Sequence, residues 1–369
     1  MKKVTFPHMG TSVVVFADLI RDLGNETVVP IRPNKRILDL GVRYGPEFAC
    51  LPFKILLGSY LEAVERGADT VVTSGGSGPC RAGHYGEVAQ KIMASAGKDL
   101  EFIVFDSIYQ KPLEFIRKVN RLNSSKLSYW TIVQLVRFYW RKLQALDQLE
   151  RASHRVRPRE LKRGEATQVF NESVKWVQES KTMGQIAEAE ASGLKAFNAI
   201  AQNSEVDVVK VGIVGEIYVV LEPAANLEIE ETLGNMGVEV NRSIYLTGWT
   251  RENTPGGKKS DGFEDAAKPY LPEPIGGHAQ ESIGHTVMFA RDGYDGVIQL
   301  APFTCIPEIV VKTIMPRVTR EHGIPVLTFF LDEQTGKAGM QTRLEAFIDM
   351  LRRKKETREE MQYARVSGH

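Results

Sequence analysis

A short run of β-branched residues leads through a Gly-rich turn to a cysteine in Thr70-Val71-Val72-Thr73-Ser74-Gly75-Gly76-Ser77-Gly78-Pro79-Cys80, and a helical pattern follows over residues 84–96. The β-branched residues are typical of a buried strand, and the glycines permit the tight turn that must follow it. Strand, turn and helix in this order are the repeating unit of a parallel sheet whose faces are covered by helices.

Strand and helix patterns alternate in the same way on both sides of this stretch. The first hundred residues predict further strands at 3–7, 27–31, 36–40 and 102–105, with helices at 12–23 and 53–66. The alternation resumes near residue 208, with strands at 208–220, 238–246, 296–300 and 325–331 and helices at 226–236, 279–291, 307–321 and 342–360. We therefore predict two α/β domains, each a doubly wound parallel sheet, at residues 1–110 and 205–369.

The residues between these domains carry no strand signal, and we predict a helical insertion over residues 111–204. Residues 111–165 contain 14 Lys and Arg against 5 Asp and Glu, which is the one strong charge asymmetry of the chain. The excess is compatible with a solvated helical face. It is also compatible with a docking surface for an acidic partner or a phosphate-bearing substrate.

Length and charge exclude several classes of protein. A chain of 369 residues exceeds one ordinary core, which favours two domains. The formal net charge of +1 argues against a nucleic-acid-binding protein. No apolar run reaches the roughly 20 residues that a membrane span needs, and residues 1–10 lack the long apolar segment of a signal peptide. We expect a cytoplasmic protein with no membrane partner.

The three cysteines, Cys50, Cys80 and Cys305, each follow a predicted strand, namely those at 36–40, 70–73 and 296–300. Ligands of open α/β sheets bind outside the carboxyl ends of the strands, so the three thiols can converge between the two domains. An odd number of distant cysteines argues against a disulfide framework. Metal ligands, reactive thiols and inert core residues remain as alternatives.

Two of the cysteines stand where a helix is predicted to begin. Cys50-Leu51-Pro52 and Cys305-Ile306-Pro307 share a Cys-x-Pro step, and proline is favoured in the first helical turn. The helix dipole and free N–H groups are expected to lower the pKa of such thiols. A zinc site would need a fourth ligand, His84 or His278. Three thiolates alone suit an iron–sulfur cubane with one iron open to substrate.

Three other polar residues are candidate catalytic groups. His84 lies one helical turn after Cys80, Glu216 lies near a strand end, and His278 precedes a helix of the second domain. Each could donate a proton in a site at the sheet edges. Ordinary structural roles are the alternative: an exposed histidine at a helix start, or a carboxylate at a domain contact. The glycines at 74–78 fit the turn that presents Cys80 better than a phosphate loop.

Four stretches follow the pattern of a known family: Gly78-Pro79-Cys80-Arg81-Ala82-Gly83-His84-Tyr85-Gly86, Cys50-Leu51-Pro52, Ala301-Pro302-Phe303-Thr304-Cys305-Ile306-Pro307-Glu308 and Thr342-Arg343-Leu344-Glu345-Ala346-Phe347. They resemble the 2-hydroxyacyl-CoA dehydratase family, which includes the benzoyl-CoA reductase subunits and the double-cubane cluster proteins. The chain is most similar to a short, poorly characterised branch associated with CoA-substrate-specific activases. The resemblance covers both predicted α/β domains and excludes residues 111–203.

The resemblance implies two flavodoxin-like domains that hold an oxygen-sensitive 4Fe–4S cluster through Cys50, Cys80 and Cys305. It also implies a homodimer, or a heterodimer with a related subunit, in an anaerobic electron-transfer system. The expected partner is an ATP-dependent activase of the sugar-kinase-like superfamily, which injects one low-potential electron. Three thiolates per chain fit one cubane or half of a larger cluster shared across a dimer.

The leading functional hypothesis is reduction or radical dehydration of a small molecule at the open cluster, with His84, Glu216 or His278 as proton donor. A CoA thioester is a candidate substrate that no motif of the chain identifies. A non-catalytic electron-relay or cluster-holding subunit is the alternative within the same system. A third hypothesis is a binding protein for a nucleotide-like ligand, in which the cysteines are structural or bind zinc.

Overall fold

The computed structural model describes residues 1–76, 80–106, 111–203, 205–252 and 262–366. Its strands are β1 Lys3–Thr5, β2 Glu26–Thr27, β3 Thr70–Ser74, β4 Glu101–Phe105, β5 Val209–Gly215, β6 Val238–Arg242, β7 Gly296–Pro302 and β8 Val326–Leu331. The helices that accompany the first four strands are α1 Ser12–Asp22, α2 Lys35–Tyr44, α3 Leu51–Glu65 and α4 Tyr85–Ser95.

A second set of helices separates the two groups of strands: α5 Pro112–Leu122, α6 Tyr129–Val156, α7 Glu165–Glu179 and α8 Met183–Ala199. The last set accompanies β5 to β8: α9 Ile217–Leu221, α10 Ile229–Asn235, α11 Leu246–Glu252, α12 Phe263–Ala267, α13 Ala279–Arg291, α14 Ile306–His322 and α15 Lys337–Val366. None of the helices described is long and apolar enough to cross a membrane.

Both sheets are parallel and have equivalent strand orders. The first has the order β2-β1-β3-β4 and the second the order β6-β5-β7-β8. In the first sheet Val71 pairs with Phe102, and in the second Ile213 pairs with Ile298. These orders match the first four positions of the flavodoxin-like sheet, 2-1-3-4-5. The predicted α/β class with two flavodoxin-like, doubly wound sheets is therefore confirmed.

The middle helices pack on one another around an apolar core of their own. Leu146 and Leu149 of α6 lie in this core with Val177 of α7 and Ile186 of α8, and all four are almost completely buried. Within the described residues 111–203 no strand is assigned. The helical prediction for this segment agrees with the structure.

The predicted strand at residues 36–40 is wrong, because these residues lie in α2. The side chain of Asn34 accepts a hydrogen bond from the N–H of Ile37 at 3.1 Å, which is the geometry of a helix N-cap. A Cβ on Gly41 would lie 1.7 Å from the carbonyl oxygen of Lys54, so α2 and α3 meet backbone to backbone. Cys50 consequently follows a helix and not a strand.

Smaller differences concern the ends of elements. Strand β2 is shorter than the predicted 27–31, and α15 begins at Lys337, ahead of the predicted 342. Part of the Gly-rich turn predicted before Cys80, Ser77-Gly78-Pro79, lies outside the described residues.

A single apolar core joins the two sheets and fixes their edges relative to each other. It contains Leu57 and Tyr60 of α3, Tyr218 of α9 and Leu344 of α15, each less than 4% exposed. Since these helices belong to both α/β units, burial of apolar surface holds the units together. The carboxyl ends of the two sheets can therefore form one site.

Candidate metal centre

The carboxyl ends of the strands carry most of the candidate ligands. Cys80 follows β3, Cys305 follows β7 and Glu216 directly follows β5. Strands β1 and β3, and likewise β5 and β7, flank the point at which the strand order reverses, and ligands of doubly wound sheets bind at this point. Cys50 lies in the loop between α2 and α3 and is the residue directly before α3.

One arginine connects the three cysteine-bearing loops. Arg81 donates through Nη1 to the carbonyl oxygen of Phe48 at 2.9 Å and through Nη2 to the carbonyl oxygen of Thr304 at 2.6 Å. The hydroxyl of Thr304 also donates to the Phe48 carbonyl, at 3.1 Å. Arg81, Phe48 and Thr304 lie within two positions of Cys80, Cys50 and Cys305. These hydrogen bonds therefore join all three loops across the two α/β units.

The backbone of Thr304 has a left-handed conformation, with φ at 68°. This region is uncommon for a β-branched residue, and such conformations persist only where the surrounding contacts enforce them. Here the contacts are those with Arg81 and Phe48. The conformation directs the carbonyl of Thr304 toward the guanidinium group while the next residue, Cys305, begins α14.

Two further polar side-chain contacts also cross from the first α/β unit to the second. Lys54, one helical turn after Cys50, has its Nζ 2.8 Å from Oε1 of Glu333, and the lysine side chain is 6% exposed. His8 Nδ1 lies 2.7 Å from the fully buried carboxylate of Glu222. Removing Glu333 would leave the Lys54 ammonium buried without its partner, so this pair restricts how the two units can separate.

Tyr85, the first residue of α4, lies against Cys50. Its hydroxyl makes a hydrogen bond with the Cys50 sulfur. The ring packs on Phe53 with the centroids 5.1 Å apart. The charges of Cys80 and Glu216 also raise the pKa of this hydroxyl, so Tyr85 lies close to two of the three cysteines.

Burial dominates the protonation of the three thiols. Cys50 and Cys305 are each 7% exposed and Cys80 is half-buried. Burial raises the pKa of all three thiols above the ordinary value, and the neighbouring N–H groups lower it by less. The N–H groups at the element starts lower the thiol pKa as expected, but burial outweighs them and the net pKa of each thiol is raised. Their deprotonation requires a positive charge, which a bound metal supplies.

Glu216 lies near all three cysteines. Its Oε2 accepts a hydrogen bond from the N–H of Val219 at 3.1 Å, which orients the carboxylate at the start of α9. Burial raises the pKa of Glu216, and the charge of His278 partly opposes this shift. The Glu216 charge in turn raises the pKa of each thiol. The structure therefore brings Glu216 to the sequence-predicted ligands.

His278 reaches the same region from the second unit. A Cβ on the preceding Gly277 would lie 3.9 Å from the Cys80 sulfur. Nδ1 of His278 lies 2.6 Å from Oε2 of Glu281. Burial disfavours the protonated imidazole, but the Glu281 carboxylate outweighs this effect and raises the pKa of His278 above its ordinary value. The contact with Glu281 therefore favours the protonated imidazole.

Behind Cys305 lies a buried polar group that the sequence did not reveal as part of the site. Glu308 is fully buried, and its carboxylate accepts hydrogen bonds from Ser282 at 3.0 Å and from Gln299 at 2.8 Å. Burial raises the pKa of Glu308 to about 7. The signal was present in Cys305-Ile306-Pro307-Glu308, where an acid follows the Cys-x-Pro step by one residue.

The structure places His84 differently from the other two candidate proton donors. Its side chain is 64% exposed, and its Nδ1 lies 3.6 Å from the carboxylate of Glu87 on the surface of α4. Sequence analysis assigned no role to Arg81 and Tyr85, which contact the cysteine loops, or to Lys54, which pairs with Glu333. Arg81 and Tyr85 lie in the same stretch as Cys80. Lys54 is a lone charge in the apolar start of α3.

A second group of ligand-type side chains lies between α6 and the second sheet. The ligand atoms of Glu150, His154 and Glu230 all lie within 4.8 Å of one another. Arg242 makes ion pairs with both carboxylates, and its side chain is 2% exposed. The protein itself therefore provides a positive charge between them. We assign no metal to this group.

The three thiols suit an iron–sulfur cluster better than a single zinc ion. Ligands about 2.3 Å from one zinc ion lie within about 4.6 Å of one another. Among the described residues, the sulfur atoms of Cys50, Cys80 and Cys305 do not form a group in which every pair lies within 4.8 Å. A cluster binds each thiolate through a separate iron atom and tolerates wider spacing. The all-sulfur donor set fits such a cluster.

Comparison with known families adds an independent finding. A family model described as 2-hydroxyglutaryl-CoA dehydratase, D-component, matches residues 108–351, which is more than half of the chain. The match contains Glu216, His278 and Cys305, and it extends over the helical insertion that the sequence resemblance excluded. Cys50 and Cys80 lie outside the match. No curated protein matches the chain.

Proposed function

The chain belongs to the 2-hydroxyglutaryl-CoA dehydratase D-component family, and from this premise we propose that it accepts low-potential electrons and carries out reduction or radical dehydration at a 4Fe–4S cluster with an open site. The family is the iron–sulfur dehydratase component of systems driven by an ATP-dependent activase. In this proposal Cys50, Cys80 and Cys305 are the cluster ligands, and a sugar-kinase-like activase is the electron donor.

The connection of the three cysteine loops by Arg81 is the observation that supports this proposal most strongly. Two of the thiols follow strands of the two sheets and the third precedes α3, and hydrogen bonds from Arg81 and Thr304 join their loops. Inert core cysteines would not need such an arrangement. When bound, the cluster would supply single electrons and an iron atom with an open coordination position.

Residues of the protein would hold and donate protons near the open coordination position. Glu216 has a raised pKa and lies near all three ligands, so its carboxyl group can hold a proton for the substrate. The contact with Glu281 raises the pKa of His278, and the charge of His278 acts on Glu216 by lowering its pKa. We assign the proton-donor role to these two residues. His84, which is largely exposed, is the weaker candidate.

The surface of α5 and α6 supports a protein partner. Five apolar side chains there are 42–68% exposed: Leu113, Ile116, Tyr129, Trp130 and Val133. Asn120 on α5 donates a hydrogen bond to the Tyr129 hydroxyl on α6 at 2.9 Å, which joins the two exposed faces. Exposed apolar patches of this kind are typical of protein–protein contacts. We propose this face for contact with a second subunit, in a homodimer or heterodimer, or with the activase.

Electron acceptance is the property that tests the proposal. The protein is purified without oxygen and mixed with an activase of the family, a reductant and MgATP, and the EPR signal of the reduced cluster is recorded. We expect a signal that requires ATP and does not form with ADP. An absence of ATP-dependent reduction in protein that contains iron would contradict the proposal.

A second step separates an enzyme from an electron relay. The reduced protein is supplied with small 2-hydroxyacyl-CoA thioesters, and product formation is measured by mass spectrometry. Turnover by this chain supports the catalytic proposal. Reoxidation only in the presence of another protein, without turnover, would identify a cluster-holding or relay subunit.

A further inference from the structure

Tyr85 is the one hydroxyl that contacts a candidate cluster ligand among the hydrogen bonds of the described residues. It lies at the start of α4, and its ring is fixed by the packing on Phe53. The hydroxyl therefore meets the Cys50 sulfur through the placement of the whole ring. Removing only the oxygen would leave the aromatic packing in place.

The direction of this hydrogen bond follows from the two groups. A thiolate that binds iron has no proton to donate and can only accept. A phenol has an ordinary pKa of about 10 and therefore carries its proton at neutral pH. Tyr85 is therefore the donor when Cys50 acts as a ligand.

A donor at a ligand sulfur changes the reduction potential of a cluster. Reduction adds one electron, and part of the added negative charge resides on the sulfur ligands. A hydrogen bond to such a sulfur stabilises the reduced form more than the oxidised form and raises the reduction potential.

We propose that the Tyr85 hydroxyl donates a hydrogen bond to the Cys50 sulfur and makes the cluster easier to reduce. Tyr85 is thus a positioning and tuning residue that acts through Cys50. This inference rests on the proposed function, because it requires that Cys50 is a cluster ligand. Tyr85 would thus have a role separate from that of Cys80 in the stretch Cys80-Arg81-Ala82-Gly83-His84-Tyr85.

The test uses Tyr85→Phe, with Tyr60→Phe as the matched control. Tyr60 lies in the same apolar core and is 2% exposed, but its hydroxyl donates to Thr73 Oγ1 at 3.1 Å and not to a sulfur. Wild type and both variants are purified without oxygen. Iron and acid-labile sulfide are measured, and an EPR-monitored redox titration gives the midpoint potential of each protein.

We expect equal iron contents in the three proteins and a more negative midpoint potential for Tyr85→Phe alone. At a solution potential that reduces half of the wild-type clusters, less than half of the Tyr85→Phe clusters will be reduced. Equal midpoint potentials in cluster-loaded wild type and Tyr85→Phe would overturn the inference and leave the proposed function intact. An equal negative shift in Tyr60→Phe would overturn it as well. Wild-type protein without iron would instead refute the proposed function.

Discussion

Among the residues that the structure describes, we compare two groups of ligand-type side chains, which differ in what balances their charge. The first consists of the three cysteines at the sheet edges with Tyr85, Glu216 and His278. The second consists of Glu150, His154, Glu230 and Arg242 between α6 and the second sheet. Each group combines side chains from distant parts of the chain, so residue types alone would suggest a metal site at either one.

The difference lies in the position of the arginine. In the second group Arg242 contacts both carboxylates, and the two glutamates raise the pKa of its guanidinium. At the cysteines, Arg81 donates to the main-chain oxygens of Phe48 and Thr304. These hydrogen bonds connect the loops, and none of them involves a sulfur atom. The loops of the first group are therefore ordered, and among the hydrogen bonds and ion pairs of the described residues no cationic side chain contacts its sulfur atoms. The second group contains an arginine that is paired with both carboxylates.

The comparison teaches that ligand chemistry and spacing do not by themselves identify a metal site. A buried group of potential ligands needs a positive charge, and the question is whether the protein provides it. The following predictions test this difference, beginning with the largest effect.

Replacing a ligand should abolish metal binding at the first group only. In Cys305→Ser, we expect iron to fall to background because a hydroxyl replaces one of three thiolate ligands. The far-UV circular dichroism and thermal unfolding should stay close to wild type. Glu150→Gln serves as the matched change in the second group and should retain its iron. Full iron retention in Cys305→Ser would remove the basis of the assignment.

Removing the cation should destabilise the second group without affecting iron. Arg242→Met leaves two buried carboxylates without their partner, and we expect a loss of about 3–5 kcal/mol in the free energy of unfolding. Urea denaturation measures this loss. Arg159→Met removes a more exposed ion pair with Glu239 and should cost about 1 kcal/mol or less. Similar losses in the two variants would show that Arg242 does not balance the buried charge.

A pH dependence should arise from Glu308, behind Cys305. Its pKa is raised by burial from the ordinary 4.5 to about 7 in the folded protein. The protonated carboxyl therefore stabilises the fold below pH 4.5, and this contribution is lost as the pH rises through about 7. Urea unfolding of the iron-free protein should show lower stability at about pH 8 than at about pH 5.

The matched variant for this pH effect is Glu308→Gln, which keeps an acceptor for Ser282 but cannot titrate. We expect the fall in stability between the two pH values to be smaller in this variant. An undiminished fall would assign the pH dependence to another group. Glu230 is one such group, because burial raises its pKa in the same direction.

The smallest effect should come from the connection between the cysteine loops. Arg81→Ala removes hydrogen bonds to Phe48 and Thr304, which are partly exposed, so we expect a loss of about 1–2 kcal/mol in stability. Iron should still bind, but a chelator should remove it faster than from wild type. Arg36→Ala, which removes a surface pair with Glu65 within the first unit, is the control. Equal rates of iron loss in wild type and Arg81→Ala would show that the connection does not hold the site together.

Much of the fold could be predicted from local pattern. The β-branched run at 70–73 and the apolar run at 296–300 were correctly predicted as strands that lead to Cys80 and Cys305. The run at 36–40 was not, since short apolar runs fit either a strand or a helix. The decisive signals were the N-cap residue Asn34 and the small residue Gly41, which allows α2 to approach α3.

The three cysteines that we propose as ligands could be found from the sequence, but most of the residues around them could not. Cysteines and the Cys-x-Pro steps are visible in sequence, and Glu216 and His278 were found because they stand at element ends. The contacts of Arg81 with Thr304 and of Lys54 with Glu333 join residues more than 200 positions apart. No local pattern encodes such pairs. The raised thiol pKa likewise results from burial by both units, which a single helix start does not reveal.

The most direct test of the central claim is the iron and acid-labile sulfide content of protein purified without oxygen, with EPR of the reduced sample. The account predicts about four iron atoms and four sulfides per chain and an EPR-active reduced state. Protein without iron, or with one zinc ion per chain, would contradict the account and leave the three cysteines without a role in electron transfer.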